Sequence, residues 1–412
     1  MTHDQVGLGW RTPLAASTFT HLDVIDLIEV IADDYFEAPP RVLRSMHSLA
    51  REVPVVVHGV ALGPASVSPI ARKRLDRLAR VINAIEPAGW SEHLAFVRGG
   101  PYEIGHLAAP PRNAATVAGT IDNIESIRRA VGALPALENI ATLIDPPDSA
   151  LSEAEWVEEI AGAAGCPLLL DLHNLCANAL NFGHDPCEYL LQFPLSRVRL
   201  VHISGGRWIE LDLPEQQVHA RRLLDDHVHD VPDEVFAMLV ELARRCPQPL
   251  SIILERDGHY PEFSLLLQQL TRAREAVALG RSRRGTLSEN QTVAPPQKCW
   301  LAAQEGQPSS APQFETFLAR LYCDRPFLDE FLAAPSSVIS RAGLNGRERE
   351  AALAIDRPGL LMAARSYEIK RRAGGGERSS RWPWRQAPRA WHRVLLFMEK
   401  LRAGRPPVDP HL

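Results

Sequence analysis

Cysteine is scarce in this chain. Its six, Cys166, Cys176, Cys187, Cys246, Cys299 and Cys323, are spread over 412 residues and form no Cys-x-x-Cys pair. That argues against a disulfide framework and against a cysteine-only zinc site, and leaves reduced, ordinary thiols. Long apolar runs are missing too: no window reaches the roughly 18 unbroken apolar residues of a membrane span. The opening MTHDQVGLGWRTPL has no basic segment leading into an apolar one, so the expected location is the cytoplasm, with no membrane partner. There is no Gly-x-Ser-x-Gly elbow and no Walker loop, and serine hydrolysis and P-loop nucleotide chemistry lose their main support. No internal repeat is visible.

Hydrophobic residues make up 45% of the chain and charged residues 23%, with a mean hydropathy of −0.13, which suits one large globular domain plus a small one. The net charge of −5 conceals an asymmetry. Residues 1–282 carry 24 basic and 37 acidic side chains, a balance of −13, whereas residues 283–412 carry 21 against 13, a balance of +8. A basic surface of this kind can attract an acidic peptide; nucleic acid is not an expected partner, since arginines scattered over helix faces mostly serve solvation.

Up to about residue 280, short apolar runs alternate with stretches of helical character. The runs VGLGW (6–10), DLIEVI (26–31), VPVVVHG (53–59), GWSEHL (89–94), PALENI (135–140), PLLLDLH (167–173), VRLVHIS (198–204) and LSIILE (250–255) are eight strand candidates. Helix-like segments lie near 69–85, 114–132, 152–164, 185–193 and 232–246, the third opening on Ser152 with Glu155 three positions on, the mark of a capping box. The alternation predicts an α/β fold, a (β/α)8 TIM barrel over residues 1–282. A doubly wound open sheet competes, but GLGWRTPL lacks the third glycine and the helix start of its phosphate cradle. Residues 283–313, rich in Pro, Gln and Ser, read as a linker. Beyond it, Phe314, Phe317, Leu318 and Leu321, then Phe327, Leu328 and Phe331, repeat at helical spacing. A small all-α domain over 314–412 is predicted, ending in an amphipathic segment that holds Trp382, Trp384 and Trp391.

Six of the strand candidates close on an ionisable side chain: His58, His93, Glu138, Asp171, His202 and Glu255. In a (β/α)8 barrel the carboxyl ends of the strands converge on one mouth, so residues far apart in sequence would meet there. Three carboxylates and three imidazoles cannot all lose water without compensation, and divalent cations are the simplest compensation. LLDDHVHDVPDEVF adds Asp225, His227 and His229, which would share a side of an extended loop. Imidazole plus carboxylate without cysteine suits Fe, Mn or Zn, and the excess of ligands points to more than one ion. Glu29 and Asp34, with its neighbour Asp33, are candidates for orienting the imidazoles. Asn139, His173, Asn174 and His229 are placed behind the ligands as well. His58, Asp171 and Glu255 are the catalytic candidates.

Taken in order, VVVHGV, WSEHLAF, LENI, LLLDLHN, VHISG, the Asp-x-His-x-His-x-Val-Pro-Asp-x-Val-Phe stretch from Asp225 to Phe236, and ILERD resemble the multinuclear non-haem iron-dependent oxidative enzymes (MNIO), barrel proteins of the methanobactin-biosynthesis type. The resemblance spans about residues 5–280. It implies two or three irons of mixed Fe(II)/Fe(III) state, O2 as co-substrate, and oxidative modification of a ribosomally made (RiPP) precursor peptide at cysteine. His58, His93, Glu138, Asp171, His202, Asp225, His227 and Glu255 match the iron ligands. Asp33 and Asp34 stand where the family commonly has glutamate and asparagine, and Gly205 and Gly206 stand where a second histidine often follows His202; the metal count is therefore two or three. The C-terminal domain is similar to partner subunits that present the precursor, here fused. Two other readings stand beside this one: a Zn- or Mn-dependent isomerase or hydrolase on a xylose-isomerase-like barrel, and an inactive peptide-binding scaffold.

Overall fold

The computed structural model describes residues 3–213, 218–284 and 311–374. Twelve strands are present among them: β1 Gln5–Gly9, β2 Ile28–Ile31, β3 Val55–Gly59, β4 Gly89–His93, β5 Phe96–Gly99, β6 Tyr102–Ala108, β7 Ala136–Glu138, β8 Leu168–Asp171, β9 Val198–Ile203, β10 Gly206–Leu213, β11 Val218–Asp225 and β12 Ser251–Leu254. Eight of them close a barrel in the order β1-β12-β9-β8-β7-β4-β3-β2, and the pairs are parallel. These are the eight runs expected from the sequence. The (β/α)8 architecture stands, and the open sheet does not.

The helices between strands bury one stripe each. Arg72–Ile85 turns Leu75, Leu78, Val81, Ile82 and Ile85 inward, the 3.6-residue period of a helix lying on a sheet. Ser152 and Glu155 form the expected capping box at the start of Glu153–Ala164. Several strands are shorter than their apolar runs, and one boundary bears on the site: β8 stops at Asp171, whose carboxylate accepts the Asn174 amide and starts the helix Leu172–Phe182. His173 and Asn174 are therefore helical, not the end of a strand.

Two antiparallel ribbons, β5–β6 and β10–β11, were not anticipated. They carry the C-terminal helices Ala311–Cys323, Arg325–Ala333, Pro335–Arg341, Gly346–Leu353 and Arg357–Gly374. Phe314, Phe317, Leu318, Leu321, Phe327, Leu328 and Phe331 are all buried in one cluster, which also takes in Phe96, Ile104 and Ala108 of the first ribbon. The helical region thus shares its core with the barrel's own insertions. Glu315 fixes it, its carboxylate accepting the Ser66 hydroxyl and the Val67 amide. A Cβ on Gly99 would lie 2.4 Å from the Glu315 carbonyl oxygen. Gly99→Val is accordingly expected to weaken this docking by about 1–3 kcal/mol, seen by calorimetry as an earlier melting of the helical region with the barrel transition retained. Most of the expected linker and the segment with Trp382, Trp384 and Trp391 lie outside the described residues.

Candidate metal centre

The barrel interior is built in two layers, and strand alternation puts one on the other. Leu27, Val56, Ala136, Leu169, Leu200 and Ile253 form a closed apolar cluster inside the barrel. Two residues after each of them, on the same side of its strand, stand Glu29, His58, Glu138, Asp171, His202 and Glu255. All six of these polar side chains are buried. The apolar layer plugs the barrel, and the polar layer rests on it at the carboxyl ends.

Glu138 is the hub. One oxygen, Oε2, lies 3.4 Å from both His58 Nε2 and His93 Nε2, and the other, Oε1, lies 3.2 Å from His202 Nδ1. His202 Nδ1 is also 3.2 Å from Glu255, and its Nε2 is 3.0 Å from Glu29. Among the described residues two sets of donor atoms lie close enough to hold an ion: His58, His93 and Glu138, and then Glu138, Asp171, His202 and Glu255. Glu138 belongs to both.

Asp225 and His227 close the ring. His227 Nε2 is 2.7 Å from Asp225, and its Nδ1 is 3.3 Å from Glu255 and 3.4 Å from Asp257. The expectation of an extended Asp-x-His-x-His loop is corrected here. His227 has a left-handed backbone, φ 55°, so side-chain alternation breaks at that residue. His229 is exposed and pairs with Asp226, 2.8 Å away, outside the cluster. Strain at a residue that faces the cluster is a common property of functional positions.

The supporting residues sort by what they touch. Asn139 grips the Asp171 backbone twice, accepting its N–H and donating to its C=O, and Asn174 donates to the Asn139 carbonyl. Together they fix the Asp171 carboxylate. Glu29 was expected behind the ligands but stands in their own layer, against His202. Asp34 lies exposed at the rim and makes no hydrogen bond or ion pair among the described residues, while its neighbour Asp33 accepts the amides of Val60 and Ala61 just after His58. His173 sits 2.9 Å from Asp225. A Cβ on Gly206 would come within 2.5 Å of the His173 ring, so a glycine at this position makes room for this imidazole.

Several contributors were not foreseen. Ser91 Oγ meets His58 Nδ1 at 2.9 Å; with Nδ1–H donating, His58 turns a free Nε2 lone pair to the cluster. Arg11 binds Asp257 and approaches Glu255 at 3.8 Å. Alternation beyond Gly9 and beyond Glu255 is the signal that would have found Arg11 and Asp257. Ser91→Ala is expected to lower metal affinity about 10- to 100-fold without unfolding the barrel, measured by competition with a chelator.

Electrostatics divide the cluster. Burial, with His93 and His202 nearby, holds the His58 imidazole well below its ordinary range and therefore neutral. Burial acts the same way on His202, but Glu255, Glu29 and Glu138 overcome it and raise His202 well above that range. Glu255, despite its burial, is brought down to about 2 by His202 and His227. Burial drives Asp171 well above the carboxylate range, with Asp225 and Glu138 adding to the effect.

Buried Glu138 Oε2, Asp171 Oδ2, Glu29 Oε2 and His93 Nδ1 have no hydrogen-bond partner among the described residues. Orphaned carboxylate oxygens in one dry cluster are what a cation would satisfy, and the donor set of imidazole and carboxylate fits a first-row transition metal. The centre opens into a cavity of about 210 Å³, with His58, His93, His227 and Glu255 at its floor and His106 and Lys370 among its upper lining.

Residues 5–278 match the sequence model of a family described as RiPP precursor modification enzyme MbnB/TglH/ChrH. The chain belongs to that family. A UPF0276 protein of Anaeromyxobacter sp. (strain Fw109-5) is 32% identical over 286 residues, covering 68% of this chain and 97% of the relative. A UPF0276 protein of Caulobacter vibrioides is 29% identical over 289 residues, covering 69% and 98%. Among solved structures, an L-ribulose 3-epimerase aligns over 74% of this chain and 100% of its own, at 12% identity and a TM-score of 0.43. The MbnB/TglH/ChrH match ends at residue 278, so the C-terminal helices lie beyond it. No helix among the described residues is long and apolar enough to cross a membrane.

Proposed function

We propose that this MbnB/TglH/ChrH-family chain oxidises a ribosomally made precursor peptide, with cysteine as the modified residue, using O2 and two or three irons. The observation that carries the reading is the Glu138 carboxylate, shared between two groups of ligand atoms: one carboxylate spanning two sites favours more than one ion. His58, His93, Glu138, Asp171, His202, Asp225, His227 and Glu255 would hold the metal, with Glu29 beside His202. Iron bound there supplies the one-electron steps that O2 chemistry needs.

The rest falls to the protein. The cavity of about 210 Å³ admits one side chain with a short stretch of backbone, and a substrate thiolate is a soft donor suited to a position left open at the centre. The apolar layer below keeps water from entering through the barrel floor. His58, neutral and oriented by Ser91, stays a ligand across the physiological range, whereas the raised His202 must give up a proton before it can bind metal. The helices 311–374 act as the fused presenting domain. By holding the precursor beside the mouth they raise its local concentration, to the order of millimolar for a short tether.

The test is co-expression with a short, cysteine-containing open reading frame from the gene's neighbourhood. A mass change confined to a cysteine, requiring both O2 and iron, is the expected result. An unmodified peptide with the fully metal-loaded protein, or turnover of a non-peptide substrate that persists without O2, would overturn it.

A further inference from the structure

The cavity over the metal centre is not completed by the barrel alone. The helix Arg357–Gly374 lies across the mouth, and Ser366 and Tyr367, each about one turn before Lys370, line with it the same cavity as His58, His93 and His227. Arg222 pairs with Asp356 at 3.1 Å just before the helix begins. Farther along it, Arg371 donates to the carbonyls of Ile104 and Tyr322 at 2.7 and 3.2 Å. The position of Lys370 is therefore set by contacts on both sides of it.

Lys370 is a half-buried ammonium with no counter-ion among the described residues. Its ammonium donates one hydrogen bond, to His106 Nε2 at 3.0 Å, and His106 in turn packs edge-on against Tyr367, ring centroids 5.1 Å apart. Among the described residues Lys370 enters no ion pair. The carboxylates that line the same cavity are Asp225, Asp226, Glu255 and Asp257, and each is taken: Asp225 by His173 and His227, Asp226 by Arg207 and His229, Glu255 by His202 and His227, Asp257 by Arg11 and His227. His106 cannot share the charge, since burial and Lys370 itself hold it well below its ordinary range. An ammonium held at the edge of a small cavity with donors to spare is a site for an anionic oxygen.

We infer that Lys370, carried by the C-terminal helical region and reaching the metal cavity beside His106, is a substrate-positioning residue that binds a carboxylate of the peptide. The inference rests on the peptide-modifying reading above and deepens it. The helical region would then do more than hold the precursor: it supplies part of the pocket and selects, next to the reacting residue, a carboxylate over a neutral group.

Two pairs of small probes separate this inference from the reading it rests on: N-acetyl-L-cysteine and its amide, and N-acetyl-L-alanine and its amide. Dissociation constants are measured by titration calorimetry on the metal-loaded full chain, as wild type, K370M, K370R and K370E. In the wild type each acid is expected to bind roughly tenfold or more tightly than its amide. K370M should abolish that preference, K370R should retain part of it, and K370E should reverse it, with the metal content of all four proteins equal. A preference that is absent from the wild type, or that survives in K370M because the metal takes the carboxylate, overturns the inference. Should K370M fold poorly, K370R and K370E decide by the sign of the preference. The thiol is judged separately: if the cysteine pair binds no better than the alanine pair, the cysteine reading fails while the alanine pair still decides the role of Lys370.

Discussion

Replacing Glu138 by glutamine should lower bound metal from two or more ions per chain to less than one and cut turnover by about a thousandfold or more. The side chain keeps its shape, but an amide has one acceptor oxygen and no charge, so it cannot serve His58 and His93 on one side and the His202 group on the other. Removing the Glu138 charge relieves repulsion with buried Glu29 and Glu255 but also takes away one of the carboxylates that pair with His202, so the two effects offset. The metal-free E138Q protein should melt close to metal-free wild type. Elemental analysis paired with thermal unfolding checks both halves, and a metal-free variant that melts far below metal-free wild type would mean that Glu138 is needed for folding and not for the centre.

Stripping the metal from the wild-type protein should cost about 4 kcal/mol if free metal stood at a thousandfold its dissociation constant, or roughly 8–16 °C in melting temperature for a domain of this size. The pH dependence should also change sign. In the metal-free protein His202 is raised, so its contribution to stability is complete below about pH 6.5 and lost as pH rises through its folded value. Glu255, held at about 2, contributes above about pH 4.5 and its share is lost as pH falls toward 2. Metal-free protein should therefore weaken on the alkaline side, where His202 deprotonates amid Glu29, Glu138 and Glu255. Metal-loaded protein should do the reverse, because each proton displaced by the ion makes affinity rise about tenfold per pH unit. Melting curves from pH 5 to about 9, with and without metal, distinguish the two slopes. Parallel slopes would show that the metal does not bind at His202.

The barrel and most of the side-chain cluster at its mouth are legible because both follow from local rules. A short strand shows its apolar run in the sequence, and an acid or imidazole at its end breaks the run visibly, as in VVVHG or LLLDLH. The two-layer arrangement goes further: counting two residues on from Leu27 places Glu29 in the same polar layer as the candidate ligands. What escaped were residues positioned by irregular backbone or by contacts across long sequence separations. The left-handed His227 sends His229 out of the cluster, and nothing in Asp-x-His-x-His announces that turn. The ribbons β5–β6 and β10–β11 are half-polar, so their alternation is weak against the surrounding loops. His106 and Lys370 meet over 264 residues of chain, a contact fixed by docking of the helices on the first ribbon and by no pattern near either residue.

The central claim is that acids and imidazoles at the ends of separate strands gather one multinuclear centre around Glu138. Anomalous diffraction from crystals of protein grown with iron, collected on both sides of the iron absorption edge, tests it most directly. At least two anomalous peaks on either side of the Glu138 carboxylate, within bonding distance of His58, His93, His202 or Glu255, are predicted. A single peak, or peaks remote from Glu138, would contradict it.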